Sequence, residues 1–313
     1  MTSDRTGFGT TVSYLPFALI LILGLIWGGV PSLSKYVTQQ GVSPLSYSFW
    51  IFFTASIMTG SINFIRSRQR PPPYIVFYLV CGLTGSAIPT TAMYFAVVEI
   101  PAGLMVLLIA VTPIFTYIFS LITNTEKHHP LKTVGVLLAF VGIVLILLPD
   151  SIAEMKAPIG GVLIGFLAPA FYAMNLVYTA RCRPADLHIM DMTTCMLVTA
   201  TAVMFVATLL FEPLYPLWNA PPLVASLTLL QGLVTSIAFC LFFTLVKMSG
   251  ALYSSQVTYS TTIIGIMIGA YVHDEVLPIL VWIATLLMFM GIGIVQKARN
   301  LTKENTPGAL SET

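Results

Sequence analysis

The sequence predicts an all-α integral membrane protein in which ten transmembrane helices form two inverted five-helix repeats around a central cavity. Three observations lead there. The chain is 57% hydrophobic and 8% charged, with a mean hydropathy of +0.91, against about 25% charged residues in soluble domains. One ungapped register lays Ala102 on Ala251, Thr112 on Thr261, Glu126 on Glu275, Phe140 on Phe289 and Gly142 on Gly291, so the chain holds two related halves. Each half has five apolar stretches, and an odd number of crossings turns the second copy upside down relative to the first. Third, the basic residues gather on alternate links, as successive crossings require.

A helix needs about 20 apolar residues to cross a hydrocarbon core about 30 Å thick. In order, the stretches of that kind are 14–36, 45–65, 74–98 and 102–123, then 131–149, 159–180, 189–211, 224–247, 251–272 and 277–296. The residues ahead of the first carry Arg5 and no small-residue cleavage site, so that span is expected to stay as an anchor. Pro101 separates the third and fourth stretches, and His273, Asp274 and Glu275 separate the ninth and tenth, because these residues are costly in the middle of a bilayer. With ten crossings, Arg5, Arg66, Arg68, Arg70, Lys127, Lys132, Arg181, Arg183, Lys247, Lys297, Arg299 and Lys303 share the side of both termini, and only Lys35 and Lys156 lie opposite. That bias places both termini in the cytoplasm and the protein in the plasma membrane, which is the inner membrane of a bacterium. The repeats are expected at 10–153 and 154–298, with the boundary in the link carrying Asp150, Glu154 and Lys156, and 299–313 is expected to be a frayed cytoplasmic tail.

The net charge of +2 is spread over the links and offers nucleic acid no basic stripe. Cys81, Cys182, Cys195 and Cys240 have neither metal-site nor disulfide-framework spacing and read as small packing residues; no metal and no cofactor is expected. An enzyme is not expected either, since no paired carboxylates or Ser/His arrangement lies in the spans, and His188 and Asp191 lack a third ligand. No phosphate-binding loop ending in Gly-Lys-Ser or Gly-Lys-Thr occurs, which disfavours an ATP-driven pump. The expected partners are a small-molecule substrate and the lipid bilayer, with a homodimer as an open assembly.

A site near mid-membrane must use the few polar and aromatic groups inside the spans. Trp27, Pro31 and Ser34 share one helix face in the first span, and Tyr172, Asn175 and Thr179 share one in the sixth. Met105, Leu108 and Thr112 of the fourth span map onto Ser254, Val257 and Thr261 of the ninth, with Tyr259 on an adjoining face. The third span adds Thr90 and Tyr94, and the eighth adds Gln231. The candidate substrate-binding set is therefore Trp27, Ser34, Thr90, Tyr94, Met105, Thr112, Tyr172, Asn175, Gln231, Ser254, Tyr259 and Thr261. Each hydroxyl could equally bond a neighbouring helix, worth only about 0.6–2 kcal/mol. Asn175 stands apart because a buried amide has more hydrogen bonds to satisfy. Pro31, Pro89, Pro113 and Pro169 each remove a backbone hydrogen bond inside a span, as hinges or as fixed kinks. Gly24 with Gly28, Gly161 with Gly165 and Gly265 with Gly269 allow close helix approach.

Trp27-Gly28 in the first span, Thr112-Pro113 in the fourth, Glu126 after it, and Gly135, Gly142 and Pro149 in the fifth resemble the EamA family of the drug/metabolite transporter superfamily. The second copy repeats the pattern with Glu275 and Gly291. The resemblance implies a ten-span carrier of small metabolites, amino acids or drugs, with a central cavity between its halves. The function expected is secondary-active, alternating-access transport of a small amphipathic metabolite such as an amino acid. A carrier of quaternary-ammonium or other organic cations is the alternative, since Trp27, Tyr94, Tyr172 and Tyr259 could hold a cation against their ring faces. A sugar-phosphate exchanger would need cavity-facing Lys or Arg, and only Lys247 comes close. If protonation drives transport, Glu99 and Asp191 are the candidate proton carriers, although both lie near helix ends. Glu126 and Glu275 are expected as structural residues at opposite mouths. Single cysteines introduced by Glu126→Cys and Glu275→Cys should therefore react with an impermeant thiol reagent from opposite faces of the membrane; reaction from one face would rule out the inversion.

Overall fold

The computed structural model describes residues 15–66, 71–125, 128–146, 157–273 and 278–304; Glu126, Glu275 and the link 150–156 lie outside them. Regular structure in the described residues is helical throughout. The first half runs α1 (Leu15–Gly28), α2 (Val30–Gln39), α3 (Pro44–Arg66), α4 (Ile75–Gly82), a π-helical turn (Leu83–Ala87), α5 (Ile88–Glu99), α6 (Ala102–Ile109), α7 (Thr112–Ile122) and α8 (Pro130–Ile146). The second runs α9 (Ile159–Cys182), α10 (Ile189–Phe211), α11 (Pro222–Ser249), α12 (Ala251–Ser254), α13 (Val257–His273) and α14 (Ile279–Glu304).

Among the described residues seven stretches are long and apolar enough to cross a membrane: Leu15–Gln39, Pro44–Arg66, Ile75–Glu99, Ala102–Ile122, Ile159–Cys182, Ile189–Phe211 and Pro222–Ser249. Shorter apolar helices of 10–17 residues, Pro130–Gly142, Val257–His273 and Trp282–Gly291, stand where the other three stretches are expected. Leu25, Phe64, Leu209, Phe211, Met267 and Leu286 each expose more than half of their surface. Apolar exposure on helix after helix is unstable in water and stable against lipid, so this is a membrane protein. One expectation needs correction. The last helix runs past Gln296 to Glu304 instead of fraying from 299, because no Gly or Pro follows Gly293 until Pro307 and the basic Lys297, Arg299 and Lys303 suit a helix C-terminus.

With lipid as solvent the helices gain little from apolar burial, and close packing holds them together. A Cβ on Gly24 would strike Ser260, one on Gly28 would lie 2.7 Å from Ile264, and one on Gly265 would lie 2.5 Å from Val106. α1, α13 and α6 are thus in near-backbone contact, and Thr262 Oγ1 tightens the last pair by donating to Val106 O at 3.2 Å. At α8 and α14, the most extensive pairing in the molecule, a Cβ on Gly291 would strike Gly135 O.

Several helix pairings recur when the halves exchange places. α1 packs on α13 as α9 packs on α6 and α7, α1 on α11 as α9 on α5, and α3 on α11 as α10 on α4; α3 with α10, α6 with α13 and α8 with α14 map onto themselves. One end of the bundle gathers Arg66, Arg181, Arg183 and Lys247 and is called here the basic end. Gly265→Leu should lower the thermal midpoint of the detergent-solubilised protein sharply, by more than the roughly 1–3 kcal/mol usual for overpacking. Gly293→Leu, where a side chain meets open space, should leave it within a degree or two; equal loss in both would refute the close-contact reading.

Candidate functional site

A proline inside a helix cannot donate to the carbonyl four residues before it. Pro31, Pro89 and Pro113 therefore strip the usual helical donor from the carbonyls of Trp27, Gly85 and Ile109, and all three residues line one cavity. Each site is also a visible fault in its helix: the break between α1 and α2 at Gly29, the π turn before α5, and the break between α6 and α7. Pro169 differs, since α9 continues unbroken through it. The ninth stretch adds a fourth fault at Ser255 and Gln256, where the bonds tighten to the three-residue type, with Gln256 N donating to Tyr253 O and Thr258 N to Ser255 O.

The cavity holds about 100 Å³, room for roughly seven to ten waters at about 10–15 Å³ each. Trp27 lies edge-on to Phe242 at 5.0 Å and to Phe239 at 5.9 Å, and Val30, Met93 and Leu176 complete a mostly apolar wall. Its polar groups are few and specific. Thr112 Oγ1 donates to the stripped Ile109 carbonyl at 2.6 Å. Thr261 lines the cavity, only 3% exposed, and its buried Oγ1 has no hydrogen-bond partner among the described residues. Asn175 Nδ2 donates to Thr84 Oγ1 at 3.3 Å and to Cys81 O at 3.5 Å, which ties α9 to the π turn. Gly85 makes this possible, because a Cβ there would lie 2.7 Å from the Asn175 amide carbon.

Six of the twelve candidate residues line the cavity: Trp27, Thr112, Tyr172, Asn175, Ser254 and Thr261. The others have different surroundings. Ser34 donates to Pro31 O at 2.9 Å, and Thr90 shares a 3.0 Å bond with the Tyr172 hydroxyl, so it supports a lining residue. Met105 packs on Gly165. Tyr94 and Gln231 belong to a buried chain in which Tyr47 Oη donates to Gln231 Oε1 and Gln231 Nε2 donates to Tyr94 Oη at 2.9 Å. Tyr259 turns its ring edge-on to Phe289, with its hydroxyl buried and without a hydrogen-bond partner among the described residues. Of the two candidate proton carriers, Glu99 is exposed beside Gly161, and Asp191 accepts from Asn63 Nδ2 at 2.7 Å with Arg66 at 3.6 Å. Neither lines the cavity. Sequence reasoning missed Gly85, Ile109, Phe239, Phe242, Ser255 and Thr258; the first two were legible as the residues four before a proline. Among the described residues no group of three His, Cys, Asp or Glu side chains is placed to hold a metal.

The profile of the EamA-like transporter family matches residues 15–148 and again residues 159–296. The chain belongs to that family. EamA-like proteins of the drug/metabolite transporter type are generally membrane transporters and not enzymes, and the twofold match agrees with the internal repeat. A protein of known crystal structure is 18% identical, covering 91% of this chain and 98% of its own with a TM-score of 0.65, a likeness in fold. No curated protein matches significantly. In this EamA-like chain Asn175→Ala should leave the π turn short of a donor and cost about 1–2 kcal/mol in thermal unfolding. Asn175→Asp, which cannot donate when ionised, should not restore it; an unchanged midpoint in both variants would show that the amide carries no structural load.

Proposed function

We propose that the chain is a secondary-active transporter of ten crossings, built from two oppositely oriented five-helix repeats, that moves a small amphipathic metabolite bearing a protonated amine, amino acids or related compounds above all. The orientation proposed is both termini in the cytoplasm of the plasma membrane, on the positive-inside bias. The observation that carries the reading is the set of proline-stripped carbonyls at Trp27, Gly85 and Ile109 around one apolar, aromatic cavity. Carbonyl oxygens accept hydrogen bonds and cannot donate them, so the cavity suits a ligand that brings N–H donors together with an apolar body. Hydrogen bonds to a charged group contribute roughly 1.5–3 kcal/mol each, and a cation over an aromatic face adds about 0.5–2 kcal/mol. Faults in helices at the site fit alternating access, since discontinuous helices are where carriers of this kind place their ligands.

The aromatic walls keep a quaternary-ammonium carrier as the second reading, and the two differ in one chemical respect. A quaternary nitrogen has no proton to give to a carbonyl. In counterflow of radiolabelled leucine into liposomes containing the protein, 3-methylbutylamine should compete at least about tenfold better than its N-trimethyl derivative; the reverse order would favour the cation carrier. Trp27→Ala and Tyr172→Ala should each raise half-saturation by about tenfold or more while the protein stays in the membrane. Normal half-saturation in both would remove them from the site, and absence of counterflow for every amine and amino acid tested would defeat the carrier reading.

A further inference from the structure

A second cavity, of about 250 Å³, opens at the basic end and is lined in part by Thr179, Phe243, Arg183 and Lys247. It lies one helical turn from the first along two of the same helices. Thr179 lies one turn beyond Asn175 on α9, and Phe243 one turn beyond Phe239 on α11, their rings stacked at 6.0 Å. Phe243, 2% exposed, lines the second cavity as Phe239 lines the first.

The charged residues that line this vestibule, Arg183 and Lys247, are both cations. Among the described residues nearby, Asp186 accepts from the Tyr74 hydroxyl at 2.9 Å, and Asp191 is held by Asn63 and Arg66. Arg181 is engaged too, donating to Thr123 O. His188 offers no negative charge, and its Nδ1 accepts from Met190 N at 3.1 Å. The side chains of Arg183 and Lys247 are left, among the described residues, with no ion pair or hydrogen bond. Two like charges facing one space repel each other until an anion sits between them, and a guanidinium with an ammonium is a donor set for carboxylate or phosphate oxygens.

We propose that the vestibule lined by Arg183 and Lys247 captures the carboxylate of the substrate before it passes Phe243 into the aromatic cavity, which narrows the cargo from amines in general to amino acids with apolar side chains. The proposal rests on the transport reading above, but its test does not need transport. Leucine, 4-methylpentanoate and 3-methylbutylamine share an apolar body and differ in which charged groups they carry. Their affinities are measured by calorimetry on the full-length protein in phosphatidylcholine nanodiscs. Arg183→Gln and Lys247→Gln should each weaken 4-methylpentanoate by about tenfold, while 3-methylbutylamine affinity does not fall. Arg183→Lys and Lys247→Arg should retain most of the binding, and the wild-type affinity for 4-methylpentanoate should fall between about 50 and about 500 mM salt. No binding of 4-methylpentanoate to the wild-type protein, or equal loss for acid and amine in well-folded variants, would overturn it. Loss of 4-methylpentanoate binding when phosphatidylglycerol is added to the nanodiscs would assign the two cations to lipid phosphates and also overturn it. Retained acid binding without leucine counterflow would count against the carrier reading and not against the anion site.

Discussion

A backbone carbonyl that has lost its donor has nowhere to go in hydrocarbon. In water a proline inside a helix is tolerated because solvent takes over the freed oxygen, but inside a bilayer each such oxygen must find a donor or a polar space within the protein. Pro31, Pro89 and Pro113 create three of these oxygens, and the residues that carry them all line one cavity. Thr112 supplies a donor to one of them, and Asn175 secures the π turn from across the interface. The prolines thus place residues with freed acceptors around a space inside the protein and not against lipid.

Much of this was readable from the residues alone. Hydropathy and the spacing of charges place the helix boundaries to within a few residues, because length and apolarity in lipid leave few alternatives; 189–211 and Ile189–Phe211 coincide. Glycine in the fifth and tenth stretches also has a physical use, since Gly291 meets Gly135 and Ala139 where α14 crosses α8. The site was half legible. Trp27, Tyr172, Asn175 and Thr261 stood out as polar or aromatic groups in mid-span, yet the same criterion selected Tyr94 and Gln231, whose hydrogen bonds are spent on each other and on Tyr47. One-dimensional spacing gives a residue's face on its own helix but not which neighbour that face meets. Phe239 and Phe242 were overlooked for the opposite reason, as two phenylalanines in an apolar helix carry no signal until Trp27 is seen between them.

The two ends of the bundle are built from different chemistry. At the basic end, charges dominate: the Arg66–Asp191 pair, the Tyr74–Asp186 contact and the cations around the vestibule. Toward the opposite end lies a cluster of neutral groups. Tyr47 and Tyr94 bring their rings to 4.7 Å and share Gln231 between their hydroxyls, while Trp50 Nε1 and Ser46 Oγ hold the backbone of Tyr215 against α3.

That neutral cluster responds to its surroundings in its own way. A fastening of phenols and an amide carries no net charge across the ordinary physiological range, so ionic strength and mild acid have no lever on it. Warming, or a solute able to compete for amide hydrogen bonds, does. The Tyr47–Gln231–Tyr94 fastening and the cation-lined vestibule thus answer to different changes of medium, one to heat and hydrogen-bonding solutes, the other to salt.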